Sequence, residues 1–496
     1  MSSEAPQLPG TAVSRSPLME MLAIAAPVIA SMASMPVMTF IDRYFCGQLG
    51  VEELAAAGNG GMVAWVPASI VMGVIGVVNS FVSQNLGAGT PRRGAAYAWN
   101  ALWIVTAAWL VLFIPYALFL PEILHWTRGT FGADHVTPKI AELEVAYGRI
   151  IIIGLLVTLG GRCFHQYFFG MHRTLVPMVG VIAGNIVNFA LTWALVFGHF
   201  GLPALGVVGS AVGTVIGASI EFFIPLAVFL SPSYRKQFGT HEPWRPALAP
   251  LKDILRIGWP AGLMFGSEML CWGIFLGVLV AQFGPEHNAA SHVAMTYMQM
   301  SFMPAVGLSI GVQAIVGKCI GQGRHDLASA RAWLGVRVTM LYMGLCAAAF
   351  VVFRYPLVSL LIDNKGDPAE TARIVDLAAE LLILAATFQV FDALGITMIG
   401  ALRGAGDTVW PGVMTVILSW TIIIGGGTAL CRWVPQWHSY GPWVAAAIYI
   451  ILFAFGVAWR WQSGAWKKIR LLEGPQPDAP ALSPAANPAE AQAFGG

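Results

Sequence analysis

A chain of 496 residues that is 57% hydrophobic and only 10% charged lacks the polar residues to coat a water-soluble globule of its length, because a soluble domain carries roughly 25% charged residues. Its apolar surface calls for a bilayer. A formal net charge of +2 is too small to mark a nucleic-acid partner, and six cysteines placed singly (Cys46, Cys163, Cys271, Cys319, Cys346, Cys431), with no CxxC pair, argue against a metal centre or a disulfide framework.

The chain opens on a polar segment, 1–17, followed by an apolar run much longer than a signal-peptide core, so no removable signal is expected and the run reads as a first membrane span. A span takes about 20 apolar residues. Such runs lie near 18–45, 55–83, 97–120, 142–170, 177–198 and 204–230, and again near 253–283, 291–317, 331–353, 374–402, 411–431 and 441–462. They predict an all-α integral membrane protein of about twelve transmembrane helices. An N-lobe over 18–230 and a C-lobe over 253–462 flank a polar linker at 231–252, and a tail at 463–496 turns rich in Pro and Ala, a disorder-prone composition, from Glu473 onward. With both termini placed in the cytoplasm, the inner segments hold roughly seventeen Lys and Arg. The outer ones hold seven: Arg43, Arg128, Lys139, Arg354, Lys365, Arg373 and Arg432. That bias sets the expected orientation, both ends cytoplasmic.

An internal repeat divides the chain. Gln84-Asn-Leu-Gly87-Ala-Gly89 matches Lys318-Cys-Ile-Gly321-Gln-Gly323 at a separation of 234 residues, and at that shift Gly73 meets Gly307, while Gly170, Thr174 and Pro177 meet Gly404, Thr408 and Pro411. Each half has an even number of spans, so the two enter the membrane in the same sense and should be related by a pseudo-two-fold axis along the membrane normal. Parallel repeats of this kind enclose a central path and move against each other.

These residues also resemble a known family. Leu22-Ala-Ile-Ala-Ala-Pro27, Asp42 before Gly47-Gln-Leu-Gly50, and Ser83-Gln-Asn-Leu-Gly87-Ala-Gly89 stand in the first half. Leu255-Arg-Ile-Gly-Trp-Pro260 with Glu268 downstream, Val316-Gly-Lys-Cys-Ile-Gly321-Gln-Gly323 and Leu402-Arg-Gly-Ala-Gly-Asp407-Thr408 stand in the second. Type and order are similar to the multidrug and toxin extrusion (MATE) transporters of the MOP flippase superfamily, with Glu268 and Asp392 pointing to the NorM-like branch. The resemblance implies an inner-membrane antiporter that exports bulky amphipathic or cationic compounds in exchange for Na⁺ or H⁺.

Ionisable side chains cost at least ~2.5–3.5 kcal/mol at the centre of a bilayer, so those that persist there are functional candidates. Glu268 lies 12 residues after Arg256 and Asp392 lies 11 before Arg403. At 1.5 Å per residue both stand roughly 16–18 Å from the cytoplasmic helix ends, at one depth, where a carboxylate pair could hold Na⁺ or share a proton. Asp42 is the N-lobe candidate, on a span that Pro27 and Pro36 can bend. The resemblance extends this site to Asn188, Thr192 and Thr214, with two departures. Thr192 stands where the family often has a carboxylate, and Phe388 where NorM-like members often have tyrosine. Hydroxyl and amide oxygens ligate Na⁺ but carry no proton at neutral pH, which leaves Asp42 as the obvious proton carrier of the N-lobe. Glu221, Arg149, Arg162 and Arg337 also interrupt apolar runs. Structural roles are expected of them, with Arg149 snorkelling and Arg162 and Arg337 neutralising an acid or binding carbonyls. Arg403 and Asp407 read as loop-shaping residues, His165 and His292 as packing residues. Met295, Met298, Met300 and Met303 suggest an adaptable apolar wall.

Other classes fit less well. The chain shows no HExxH, GxSxG or Walker A motif, so neither a membrane enzyme nor an ATP-driven pump is expected. A flippase of lipid-linked sugars would need a cavity lined by Arg and Lys, whereas the candidates here are mainly acidic. One chain holds both lobes, so a functional monomer is expected.

Overall fold

The structure is a computed structural model that describes residues 16–131, 137–362 and 368–472. The start of the N-terminal segment, Lys365, and the tail from Glu473 lie outside the described residues. Among those described, twelve helices of 23 residues or more follow one another: α1 Pro17–Leu49, α2 Glu52–Gly87, α3 Pro91–Leu118, α4 Pro138–Gly170, α5 Leu175–Phe197, α6 Val207–Leu230, α7 Leu248–Phe283, α8 Pro285–Gly321, α9 His325–Val352, α10 Pro368–Ala405, α11 Val409–Trp433 and α12 Tyr440–Gln462. Twenty-three residues rise about 34 Å, enough for a hydrocarbon core of ~30 Å. Eleven of the twelve contain a stretch apolar enough to cross a membrane; α4, the exception, is the helix that carries Arg149, Arg162 and His165.

The outer faces are apolar. Val111 is 71% exposed, Leu341 67% and Ile186 64%; in water such surface would cost about 25 cal/mol per Å², and in lipid it costs nothing. Starts and stops are local. Ser16 caps α1 through the Met19 amide (3.3 Å) with Pro17 next, and Thr137 caps α4 through the Ile140 amide (3.2 Å) with Pro138 next.

Helix pairing obeys the repeat. In the N-lobe α2 packs on α4, α4 on α6 and α5 on α6; in the C-lobe α8 packs on α10, α10 on α12, and α11 on α12. Across the lobes α1 meets α8 and α7 meets α2, each the image of the other, while the last turns of α2 meet α8 itself. The matched glycines explain these approaches. A Cβ on Gly170 would stand 2.8 Å from the Asn79 carbonyl, and one on Gly404 2.5 Å from that of Gln313. A Cβ on Gly87 would collide with the Lys318 carbonyl, and one on Gly321 with that of Gln84. Gly89 and Gly323, which end the two matched motifs, turn with φ of 74° and 73°, a conformation that only glycine adopts without strain.

Hydrogen bonds tie the lobes together at the end that bears the chain termini. Asn79 donates to the Ile310 carbonyl (3.5 Å) and Gln313 to the Gly76 carbonyl (3.2 Å), a pair related by the repeat. Ser80 donates to the Arg403 carbonyl (2.7 Å) and Gln84 to that of Gly404 (2.9 Å). Arg331 pairs with Glu20 at 2.6 Å. The Gly76 carbonyl is available because α2 breaks there, between its segments Val51–Ile75 and Val78–Gly87. The loops rich in Lys and Arg lie at this same end.

Candidate functional site

The N-lobe residues singled out from sequence form one network. Asp42 lies near the far end of α1. Thr214 of α6 donates its hydroxyl to Asp42 Oδ2 at 3.2 Å, and Asn188 of α5 donates to Thr214 Oγ1 at 3.3 Å and to Thr192 Oγ1 at 3.4 Å. Asn188 and Thr192 are buried, while Asp42 and Thr214 are half-buried. Asp42 Oδ1 is buried and has no hydrogen-bond partner, so one oxygen of the carboxylate is committed and the other is free to take a proton or face a cation. A glycine ladder on α6 brings the donors in: Gly213 lies against Thr192, and a Cβ at Gly217 would stand 2.7 Å from Asn188 Cβ. Small residues four apart let membrane helices approach closely. Tyr147 of α4 and Cys46 lie within electrostatic reach of Asp42 and pack together with Val207 and Ala211, and neither was named as a site residue from sequence.

In the C-lobe Glu268 and Asp392 are both half-buried and lie within electrostatic reach of each other. The Tyr449 hydroxyl of α12 donates to Glu268 Oε1 at 3.4 Å, a partner that sequence reading missed; its signal is a lone hydroxyl in the middle of an apolar span. Phe388, one turn before Asp392, is fully buried in the C-lobe core. Among the described residues no three of His, Cys, Asp and Glu gather as metal ligands; the C-lobe pair offers two carboxylates and a hydroxyl.

Several secondary expectations are corrected. Arg403 does more than shape the loop: its carbonyl accepts from the Gly406 amide at 2.9 Å in the turn, while its side chain is half-buried, lies 4.8 Å over the Phe265 ring and faces Glu268 electrostatically. Asp407 does hold the turn, paired with Arg460 at 2.7 Å. Arg149 binds the Ala117 and Leu118 carbonyls at 2.9 and 3.2 Å, which caps the end of α3. Arg162 meets an acid, Glu221, at 3.5 Å, but Arg337 lies on an exposed face of α9, and His292 is exposed rather than packed. The methionines make no single wall, since Met295 and Met298 pack on the C-lobe core, Met303 packs against Val28, Met32 and Phe169 of the N-lobe, and Met300 is 57% exposed.

This architecture has relatives. The chain is 28% identical over 441 residues to the multidrug resistance protein NorM of Burkholderia vietnamiensis, covering 88% of this chain and 92% of that one. It is 27% identical over 430 residues to the multidrug resistance protein PmpM of Pseudomonas aeruginosa, covering 85% and 86%. Among solved structures, an outward-facing multidrug resistance MATE transporter of the MOP superfamily superposes with a TM-score of 0.79 at 18% identity, over 91% of this chain and 97% of that one. A MOP-superfamily transporter from Pyrococcus furiosus, described as having a binding pocket of reversed polarity, superposes with a TM-score of 0.78 at 18% identity, over 91% and 97%. The MatE family model matches residues 27–194 in one lobe and 260–426 in the other. The chain therefore belongs to the MatE family of transporters.

Proposed function

We propose that this protein is a secondary antiporter of the cell inner membrane that exports bulky amphipathic or cationic compounds in exchange for Na⁺ or H⁺, by alternating access. The observation that carries the reading is the placement of acids within lobes that are sealed at one end. Asp42 stands in one lobe and Glu268 with Asp392 in the other, while the hydrogen bonds between lobes gather at the terminus-bearing end. With the Lys- and Arg-rich loops on that side, both termini are cytoplasmic by the positive-inside rule. Half-buried carboxylates attract cationic substrates and coupling ions alike, which is the competition that antiport needs. Asp42, Asn188, Thr192 and Thr214 supply one coupling site, and Glu268 with Asp392 the second, where Na⁺ would meet two carboxylates and the Tyr449 hydroxyl. The coupling ion is the only cofactor in this reading, one chain is the working unit, and no bond-making chemistry is involved. The multidrug names of NorM and PmpM agree with it. A flippase of anionic lipids fits less well, because Arg162 and Arg403, the arginines inside the lobes, are each faced by a glutamate.

The test is efflux of ethidium from proteoliposomes holding the purified chain, under an imposed Na⁺ gradient and separately a pH gradient. Efflux accelerated by either gradient is expected. Efflux indifferent to both, at rates equal to protein-free liposomes, would end the cation-antiport reading.

A further inference from the structure

We infer that His165 and Glu221, braced by Arg162, form a second proton-binding station in the N-lobe, between the Asp42 network and the terminus-bearing end. Arg162 and His165 sit three residues apart on α4, and both face Glu221 of α6. Arg162 Nη2 lies 3.5 Å from Glu221 Oε1, and His165 Nδ1 lies 3.6 Å from the same oxygen. His165 is 1% exposed, and neither of its ring nitrogens has a hydrogen-bond partner. Glu221 Oε1 is buried and likewise makes no hydrogen bond. A packing histidine would donate one ring N–H and accept at the other nitrogen. This ring does neither, and its Nδ1 faces a buried carboxylate to which an Nδ1–H tautomer or the imidazolium could donate.

Position gives the cluster its role. Ser210, Thr214 and Glu221 recur on α6 at intervals of four and seven, one face of the helix. That face runs from the Asp42 network toward the terminus-bearing end, and Glu221 lies about 10 Å along it from Thr214. Between them α5 comes close, because a Cβ on Gly184 would stand 2.7 Å from the Gly217 carbonyl and 3.3 Å from Glu221 Cβ. Among the described residues, Glu221 and Arg162 are the charged groups that act on His165. Helix α5 has none, and the last turns of α2 offer only amides and hydroxyls such as Asn79 and Gln84. Glu20 of α1 is taken by Arg331, Lys318 of α8 faces His172, and Phe169, beside the His165 ring, packs against Val28 and Met32. When the imidazole binds a proton, Glu221 stabilises the imidazolium; when the proton leaves, Arg162 keeps the carboxylate neutralised. The station therefore alternates between net charges of +1 and 0 without an uncompensated acid in either state.

This inference rests on the antiport reading for its purpose but not for its test. The full chain in nanodiscs, with ¹⁵N-labelled histidine, is titrated from about pH 8 down to about pH 4, below the range in which a free histidine switches charge because the ring is buried beside Arg162, and the His165 signal is assigned by its loss in His165→Gln. The expected result is an imidazolium signal in the wild type that Glu221→Gln removes and Glu221→Asp retains. A His165 ring that stays neutral throughout, or titrates identically in wild type and Glu221→Gln, overturns the station. In proteoliposomes, His165→Gln is expected to cut pH-driven ethidium efflux at least about tenfold, the scale of a lost proton-transfer group, while equilibrium ethidium binding stays within about twofold. Unchanged pH-driven efflux in His165→Gln also overturns it. A wild type that titrates as expected but moves no ethidium leaves the station standing and removes the antiport reading instead. Should His165→Gln fail to fold, Glu221→Gln and Glu221→Asp carry both comparisons.

Discussion

Asp42 is held by a hydroxyl and not by a cation, and this sets what its loss should do. A carboxylate locked to arginine would be inert to Na⁺ and H⁺; one that accepts a single bond from Thr214 and keeps a buried oxygen unbonded responds to both. Thr214→Val removes the bridge to Asn188 and leaves that buried amide short of a partner, worth about 1–3 kcal/mol. Coupling-ion affinity is expected to fall about tenfold or more, each tenfold being 1.4 kcal/mol, as read from the Na⁺ and pH dependence of ethidium efflux. At the other lobe's turn, Arg460→Ala strands the buried Asp407 carboxylate and is expected to lower stability by about 2–3 kcal/mol in thermal unfolding, with substrate affinity unchanged. The family resemblance brought Asp42, Asn188, Thr192 and Thr214 together in the sequence, and the structure joins the four by hydrogen bonds. Tyr449, Tyr147 and Arg403 were not legible there as site residues. Whether a side chain near the middle or end of a span faces the lobe interior depends on the rotation of its helix, which hydropathy does not report. His165, read from sequence as a packing residue, is indeed buried, and only the coordinates reveal that its ring nitrogens make no hydrogen bond there.

At the scale of elements, glycine placement decides which helices touch. Gly213 lets Thr192 reach across from α5, so Gly213→Val should push α5 from α6 and open the Asn188–Thr214 bond. Overpacking of this kind costs about 1–3 kcal/mol, and the expected outcome is a less stable protein in which ion dependence is lost before folding is. A thermal melt alongside gradient-driven efflux checks it. The spans themselves were legible from apolar length, yet helices start earlier than the runs do: α8 begins at Pro285 instead of 291, and α10 at Pro368 instead of 374. Hydropathy senses the bilayer, whereas a helix continues past it to its cap, and proline at the first turn marks that start. The repeat was legible too, since its glycines do the same physical work in both halves. Gly87 against Lys318 and Gly321 against Gln84 are one contact seen twice.

For the whole molecule, the pseudo-two-fold makes a quantitative demand on the sealed end. Asn79 and Gln313 donate the same bond in opposite directions across the lobe boundary. Gln313 also donates to Ser80 Oγ at 3.0 Å, so Asn79→Leu should weaken the seal by about 1 kcal/mol and Gln313→Leu by about twice that, and the double variant by about their sum. Labelling of a cysteine introduced at that end reads the change as faster modification from the side that the termini face; single variants that leave labelling unchanged would show that the repeat governs fold but not gating. The central claim, antiport driven through carboxylates in the lobes, is met most directly by gradient-driven ethidium efflux from proteoliposomes of wild type, Asp42→Asn, and the double variant Glu268→Gln with Asp392→Asn, each with ethidium binding measured in parallel. The account predicts that each acid-to-amide variant still folds and binds ethidium but loses a large part of its response to the Na⁺ or pH gradient. Variants that all keep the full wild-type response would contradict it.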